Sequence, residues 1–315
     1  MGKQITSTLV MVRPKHFNYN KETAANNTFQ QHLPHLTSEQ VADQAIQEFN
    51  ALVKTFRDAG IRVEVVEDTD QPETPDAVFP NNWVSFHEDG TVITYPMWSV
   101  VRRKERREDL LEGLKQRFVM NRRIAYEAFE EQGMMLESTG SMVLDRVNKI
   151  AYACLSERTH PEVLQQFCHD MGYTPMLFHA VQPVNGRPSP VYHTNVMMSL
   201  GENFAVLCEE LIPNQQELTQ VKESLKATGH EIIAITANQC SRYAGNMLQV
   251  KNENGQSFLA MSSQAFQSLS PHQVEAINRY TQIIHSPITT IETLGGGSVR
   301  CMMAEIFLPE QPANS

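Results

Sequence analysis

The chain has 315 residues, 41% of them hydrophobic and 20% charged, with a net charge of −10. That length is ample for a sizeable hydrophobic core in one large domain or two ordinary ones. The acidic balance argues against a nucleic-acid footprint, which needs a basic surface.

The N-terminal stretch "QITSTLVMVRP" reads as a strand, and Ser38 to Ala59 as a helix with Val41, Ala45, Phe49, Leu52 and Phe56 at helical spacing. Gly60 stops that helix, and "IRVEVVED" is the next strand. The polar stretch "FPNNW" follows, then a hairpin in "WVSFHEDGTVITYPM" around Glu88-Asp89-Gly90. "RKERREDLLEGLKQRF" reads as a charged helix, and the basic run 102–107 within it as a solvated face. "RRIAYEAF" is a strand that leads to the polar stretch "LESTGS".

The cycle then restarts. "SMVLDRVNKIAYACL" is a hairpin, "HPEVLQQFCHDMG" a helix and "YTPMLFHAV" a strand, reaching "VYHTNVMM". "NVMMSLGENFAVLCEEL" is a hairpin, "PNQQELTQVKESLKATG" a helix between Pro213 and Gly229, and "HEIIAIT" a strand. "RYAGNMLQV" opens the next hairpin, "NMLQVKNENGQSFLAMS". The helix "SPHQVEAINRYTQ" and the strand "IIHSPITTIE" then lead to "LGGGSVRCMMAEIFLP". The polar stretches centre near Asn82, Thr139, Asn195, Asn246 and Arg300, in steps of about 57, 56, 51 and 54 residues.

The last strand, "CMMAEIFLP", lacks a hairpin partner unless the N-terminal strand supplies it. The expected fold is therefore α/β: a five-bladed pseudo-symmetric α/β propeller of ββαβ units, the fifth split across the termini, forming a single catalytic domain over residues 1–315. Ring closure leaves no edge strand exposed. It also brings the five polar stretches to one end of a central axis. An ordinary two-domain α/β sandwich is the plainer alternative.

Cys301 follows the glycine run Gly295-Gly296-Gly297. Spacing alone leaves two readings open, a reactive thiol or a buried cysteine opening a core strand. A reactive thiol needs a base or a positive neighbour. His193 is one of eleven histidines, and it is singled out because it stands at a convergence point. Cys154 and Cys208 sit in apolar runs and read as core thiols; Cys240 is a weaker nucleophile candidate with a structural default. No sequence pattern of metal or phosphate binding is present, so no metal and no cofactor is expected.

The order of Glu in "LESTGS", Arg in "SERT", His in "HTN" and Cys in "GGGSVRC" resembles the guanidine-modifying superfamily. That superfamily holds arginine deiminases, dimethylarginine hydrolases and amidinotransferases, all five-bladed α/β propellers. Within it, "MVRPKHFNYNKETAANNTFQ", "FPNNW", "HTNVMM" and "AGNMLQ" are most similar to citrulline-utilisation hydrolases, the citrulline ureidase branch. The resemblance covers nearly the whole chain. It implies Cys301 as nucleophile, His193 as general acid and base, and Glu137 as the carboxylate that orients substrate nitrogens and keeps His193 protonated. It also implies Arg158 on the substrate α-carboxylate, with Arg102 or Arg103 as a second contact and Phe79 in the binding set.

Where arginine deiminases carry aspartates, this chain has Asn82 and Asn195. A guanidinium is a permanent cation that buried carboxylates compensate; without the cation they are buried and unpaired. Two amides suit a neutral ureido group, to which they offer both donors and acceptors. The expected reaction is therefore citrulline to ornithine, carbon dioxide and ammonia through a covalent cysteine intermediate. Arginine deiminase, dimethylarginine hydrolase and amidinotransferase activities are the alternatives within the superfamily. A non-catalytic binding protein of the same fold, like a ribosome-binding anti-association factor, is the alternative outside it. The expected partner is a small amino acid, with no nucleic acid and no membrane. The N-terminal stretch lacks a signal peptide's apolar run, which makes a cytoplasmic location the expectation.

Overall fold

The computed structural model describes residues 2–184 and 186–312. Its strands form five three-stranded sheets and one extra hairpin. The first sheet joins the termini. It holds β1 (Thr8–Arg13) parallel to β2 (Arg62–Glu67) and antiparallel to a short strand, Ala304–Glu305. The second holds β3 (Val84–Phe86), β4 (Thr91–Thr94) and β5 (Arg122–Ala125); the third β6 (Val143–Asp145), β7 (Ile150–Cys154) and β8 (Thr174–Phe178). After the hairpin β9 (Val181–Val184) and β10 (Arg187–Pro190) comes the fourth, β11 (Met198–Leu200), β12 (Phe204–Leu207) and β13 (Glu231–Ala234). The fifth holds β14 (Leu248–Lys251), β15 (Ser257–Ser262) and β16 (Gln282–Ser286). The closing strand Ala304–Glu305 is β17.

In every sheet the first two strands pair antiparallel and the third joins parallel. A parallel partner needs a crossover, and a helix supplies it each time: Ser38–Asp58, Glu108–Lys115, Pro161–Met171, Gln215–Ala227 and Pro271–Asn278. The middle strands "TVIT", "IAYAC" and "FAVL" are almost wholly buried, as β-branched and apolar runs covered on both faces should be. The outer strands are less buried, β5 most exposed among them.

The first helix starts at a capping box, with the Thr37 hydroxyl accepting from Gln40 N–H and the Gln40 side chain returning to Thr37 N–H. It buries Val41, Ala45, Phe49, Leu52, Val53 and Phe56, and ends where Gly60 adopts a positive φ of 78°. Truncating Phe49 to alanine at the centre of that stripe costs about 3–5 kcal/mol.

Apolar side chains fill the gaps between successive sheets. Val10 and Val12 meet Val84 and Phe86; Ile93 meets Ala151 and Ala153. Tyr152, Val206 and Leu259 belong to a third cluster, and Leu248, Val250, Leu9 and Met11 to a fourth.

Three expectations need correction. The charged helix begins only at Glu108; Arg102–Glu105 is a 3-10 turn in which Arg102 and Glu105 are buried. Their mutual ion pair removes them from solvent, so the run 102–107 is not a solvated face. The final strand shrinks to β17, because Val299–Met302 winds into a 3-10 turn. The Asn246 side chain takes up Arg300 N–H and the Ser298 carbonyl accepts from Cys301 N–H, satisfying the backbone without a ladder. The segment "IIHSPITTIE" is strand only to Ser286; a helical turn, Thr289–Gly295, follows Pro287. The β9–β10 hairpin was not expected either, although the dipeptide Asn185-Gly186 is a hairpin signal in the sequence. No helix among the described residues is long and apolar enough to cross a membrane.

Candidate active site

The polar stretches become short helical turns that precede the inner strands: Pro80–Asn82, Ser138–Ser141, Thr194–Val196 and Val299–Met302. The turn 138–141 touches both 80–82 and 194–196, and 80–82 touches 299–302. Asn246 ties in the remaining stretch by donating to the Asn195 carbonyl. The convergence expected from the repeat is therefore observed.

A narrow pocket opens there. Cys301, His193, Asn82, Arg158, Phe79 and Arg102 line it. Glu137 and Asn195 are packed behind it, in contact with His193 and Cys301 respectively.

Cys301 Sγ receives the amide of Asn246 at 3.2 Å and that of Asn195 at 3.5 Å. His193 Nε2 lies 2.7 Å from Glu137 Oε2, which leaves Nδ1 as the nitrogen available for proton transfer. Burial pushes the His193 imidazole down, to about 4; Glu137 opposes this, while Arg158 and Arg102 add to it. Burial thus favours the neutral imidazole, against the expected effect of Glu137. Burial alone would raise the Glu137 carboxyl, but Arg158 and the His193 hydrogen bond hold it well below the usual carboxylate range. Both Glu137 oxygens are occupied, Oε1 by Trp98 N–H at 2.9 Å and Oε2 by His193 and Arg158. It is packed behind the histidine and does not line the cavity.

Arg158 is sandwiched by aromatic rings, 5.1 Å from the centroid of Tyr192 and 5.7 Å from that of Trp98. Its guanidinium also donates to Asn26 and to the Thr23 carbonyl in the loop between β1 and the first helix. Arg102 turns its fork on Glu105, with both bonds at 2.9 Å, and donates to Asn82 Oδ1 at 2.8 Å. Asn82 Nδ2 and Asn195 Oδ1 are buried without a hydrogen-bond partner. Arg103, the other candidate for the second carboxylate contact, instead bonds the Met97 carbonyl and pairs with Glu130.

Two glycines make the approach possible. A Cβ at Gly140 would overlap Asn82 Nδ2 and sit 2.9 Å from His193 Cε1. A Cβ at Gly297 would sit 2.9 Å from the Phe79 ring, which packs under the glycine run.

Sequence reading missed Asp76, Tyr192 and the loop residues Thr23 and Asn27, which also line the cavity. Asp76 is buried, and its Oδ1 has no partner. Its position three residues before Phe79 was the only hint. Cys240 donates to the Val196 carbonyl within the core and stays outside the cavity. Among the described residues no group of three or more His, Cys, Asp or Glu is placed to hold a metal ion.

The sequence matches the family described as N,N dimethylarginine dimethylhydrolase, eukaryotic, over residues 13–308. A comparison with curated proteins gave no match. Among solved structures, apo ArgZ, an arginine dihydrolase from the ornithine–ammonia cycle in cyanobacteria, has a TM-score of 0.72 at 15% identity, covering 97% of this chain and 41% of that one. The N-terminal domain of a variant ArgZ, covalently bound to a reaction intermediate, gives 0.70 at 14% identity, covering 97% of this chain and 99% of that one. A variant dimethylarginine dimethylaminohydrolase, as its adduct with S-methyl-L-thiocitrulline, gives 0.63 at 16% identity, covering 97% and 100%. At these identities the likeness is one of fold. The chain spans 41% of full-length ArgZ.

Proposed function

The chain belongs to the N,N dimethylarginine dimethylhydrolase family, and from that premise we propose that it is a hydrolase of arginine-related side chains acting through Cys301, with citrulline as its preferred substrate. The observation that carries the preference is the pair of amides at the reactive end. Asn82 keeps an unpartnered N–H donor beside the cavity, and Asn195 an unpartnered oxygen next to the sulfur. A ureido group offers a carbonyl oxygen to the first and N–H groups to the second; a guanidinium has no acceptor to offer.

In the proposed reaction Cys301 passes its proton to the neutral His193 and its sulfur bonds to the ureido carbon. The imidazolium, steadied by Glu137, returns the proton to the leaving nitrogen as the C–N bond breaks. The free imidazole then takes a proton from water, which attacks the thiocarbamate carbon. Carbon–sulfur cleavage regenerates the thiol. Decay of the carbamate yields ornithine, carbon dioxide and ammonia as the overall products. Arg158 is assigned to the α-carboxylate, facing substrate from its aromatic sandwich. We also propose that the five sheets form a single five-bladed ring. The apolar cluster joining Leu248 and Val250 to Leu9 and Met11 supports closure between the fifth sheet and the first.

A second reading, hydrolysis of arginine or a methylated arginine, is favoured by one observation: the buried Asp76 carboxylate has a free oxygen in the cavity and suits a cationic group. A non-catalytic role is disfavoured by the gathering of Cys301, His193 and Glu137 around one cavity. The deciding experiment is a panel of citrulline, arginine, methylated arginines and agmatine, with ornithine and ammonia assayed separately. Faster turnover of arginine than of citrulline at equal concentration defeats the citrulline assignment.

A further inference from the structure

The Asn82 amide has two possible orientations, and only one presents a donor to substrate. We infer that Arg102 is a positioning residue that sets this orientation and thereby the choice between ureido and guanidinium substrates. The inference rests on the reading of Asn82 as the amide that meets the substrate.

A guanidinium has five N–H donors and no acceptor. Arg102 Nη1 lies 2.8 Å from the Asn82 side chain, so the atom facing it must be Oδ1. Turning the amide over would set N–H against N–H beside a full positive charge. The lost charge-assisted bond biases the equilibrium by about ten- to a hundredfold. Arg102 cannot drift away to relieve such a conflict. Glu105 holds its Nε and Nη2 as a two-pronged pair, the Phe79 carbonyl accepts from Nη2 at 3.3 Å, and Asp76 Oδ2 lies 3.8 Å from Nε. Burial opposes the charge on Arg102, but Glu105 and Asp76 more than restore it. Arg102, Asp76 and Glu105 are all buried, so solvent does not compete for these bonds.

The sequence carries the whole device within a short span. Asp76 lies on a loop, Asn82 in the turn Pro80–Asn82, and Arg102 and Glu105 in the turn after the β3–β4 hairpin. Arg102 thus acts at a distance from the reacting carbon, through the amide it anchors.

The test compares kcat/KM for citrulline with that for arginine, reading arginine as a competitive inhibitor where it is not turned over. Arg102→Lys retains the charge but loses the two-pronged hold on Glu105, and is expected to lower the ratio by about threefold. The double variant Arg102→Met/Glu105→Leu removes the buried pair together, which such pairs tolerate better than loss of one partner. It is expected to lower the citrulline-to-arginine ratio by about tenfold or more. A purely structural role lowers both substrates alike, and an unchanged ratio in the double variant overturns the inference. Should that protein not fold, Glu105→Gln loosens the anchor; a ratio lowered by about threefold supports the device and an unchanged one overturns it. Asn82→Ala separates the two levels. If it shifts the ratio and the Arg102 variants do not, this inference alone fails. If it leaves the ratio unchanged, the reading of Asn82 as the substrate-facing amide fails with it.

Discussion

Replacing Asn82 by aspartate exchanges one buried donor for an acceptor while leaving size and shape almost unaltered. Asn82 is 2% exposed, so water cannot compensate the change. One aspartate oxygen would take the place of Oδ1 and keep the Arg102 bond, now as an ion pair. The other would stand where Nδ2 stands, without its hydrogens. Facing a ureido carbonyl, it loses a hydrogen bond and sets a charged oxygen against an oxygen. Leaving a charged group so unsatisfied costs about 1.5–3 kcal/mol, a drop of roughly 12- to 150-fold in kcat/KM for citrulline. Arginine gains from the same change, because its guanidinium then meets a carboxylate in a water-poor site. The assay is steady-state kinetics on the full chain with both substrates, quantifying ornithine and ammonia separately. Citrulline efficiency within threefold of wild type, with no gain for arginine, would refute the argument from amide chemistry.

Cys301→Ala is expected to lower turnover by about a thousandfold or more with an unchanged melting temperature, and unimpaired activity removes it as the nucleophile. Citrulline should also protect the wild-type thiol from alkylation, checked by mass spectrometry. Gly140→Ala forces a methyl group against Asn82 and His193. Displacing both is expected to cost about a hundredfold in kcat/KM, and wild-type kinetics would contradict the close approach. Glu292 is a separate pH reporter: burial pushes its carboxyl up from 4.5 to about 7, against hydrogen bonds from Ser262 and Ser298. The folded protein therefore holds the proton more tightly than the unfolded chain does. This contribution to stability is complete below the ordinary carboxylate range and is lost as pH rises through 7. Thermal melts from pH 5 to 9 should show that decline, and Glu292→Gln, able to keep the 2.6 Å bond from Ser298, should reduce it.

Much of the architecture was legible because its signals are local. Buried middle strands read as short apolar runs, and the crossover helices as amphipathic stretches bounded by Gly60, Gly172 and Gly229. Their repetition at a near-constant period located Asn82, Asn195, Asn246 and the turn that holds Cys301 at equivalent points of the unit, and the residue types there suggested a chemistry. What stayed hidden depends on partners that meet only after folding. Arg102 and Glu105 look like surface charges until Asp76 and Asn82 arrive to bury them. The strand expected after Cys301 became a turn because Asn246, more than fifty residues earlier, satisfies its backbone. Arg158 reaches its site only when Asn26 and Thr23, over a hundred residues upstream, fold against it. The lowered proton affinity of His193 follows from burial, against the pull of Glu137, which no spacing in the chain encodes. Local propensity and periodicity are properties of neighbours along the chain. Dielectric, amide orientation and proton affinity are properties of neighbours in space, and these the tertiary structure alone decides.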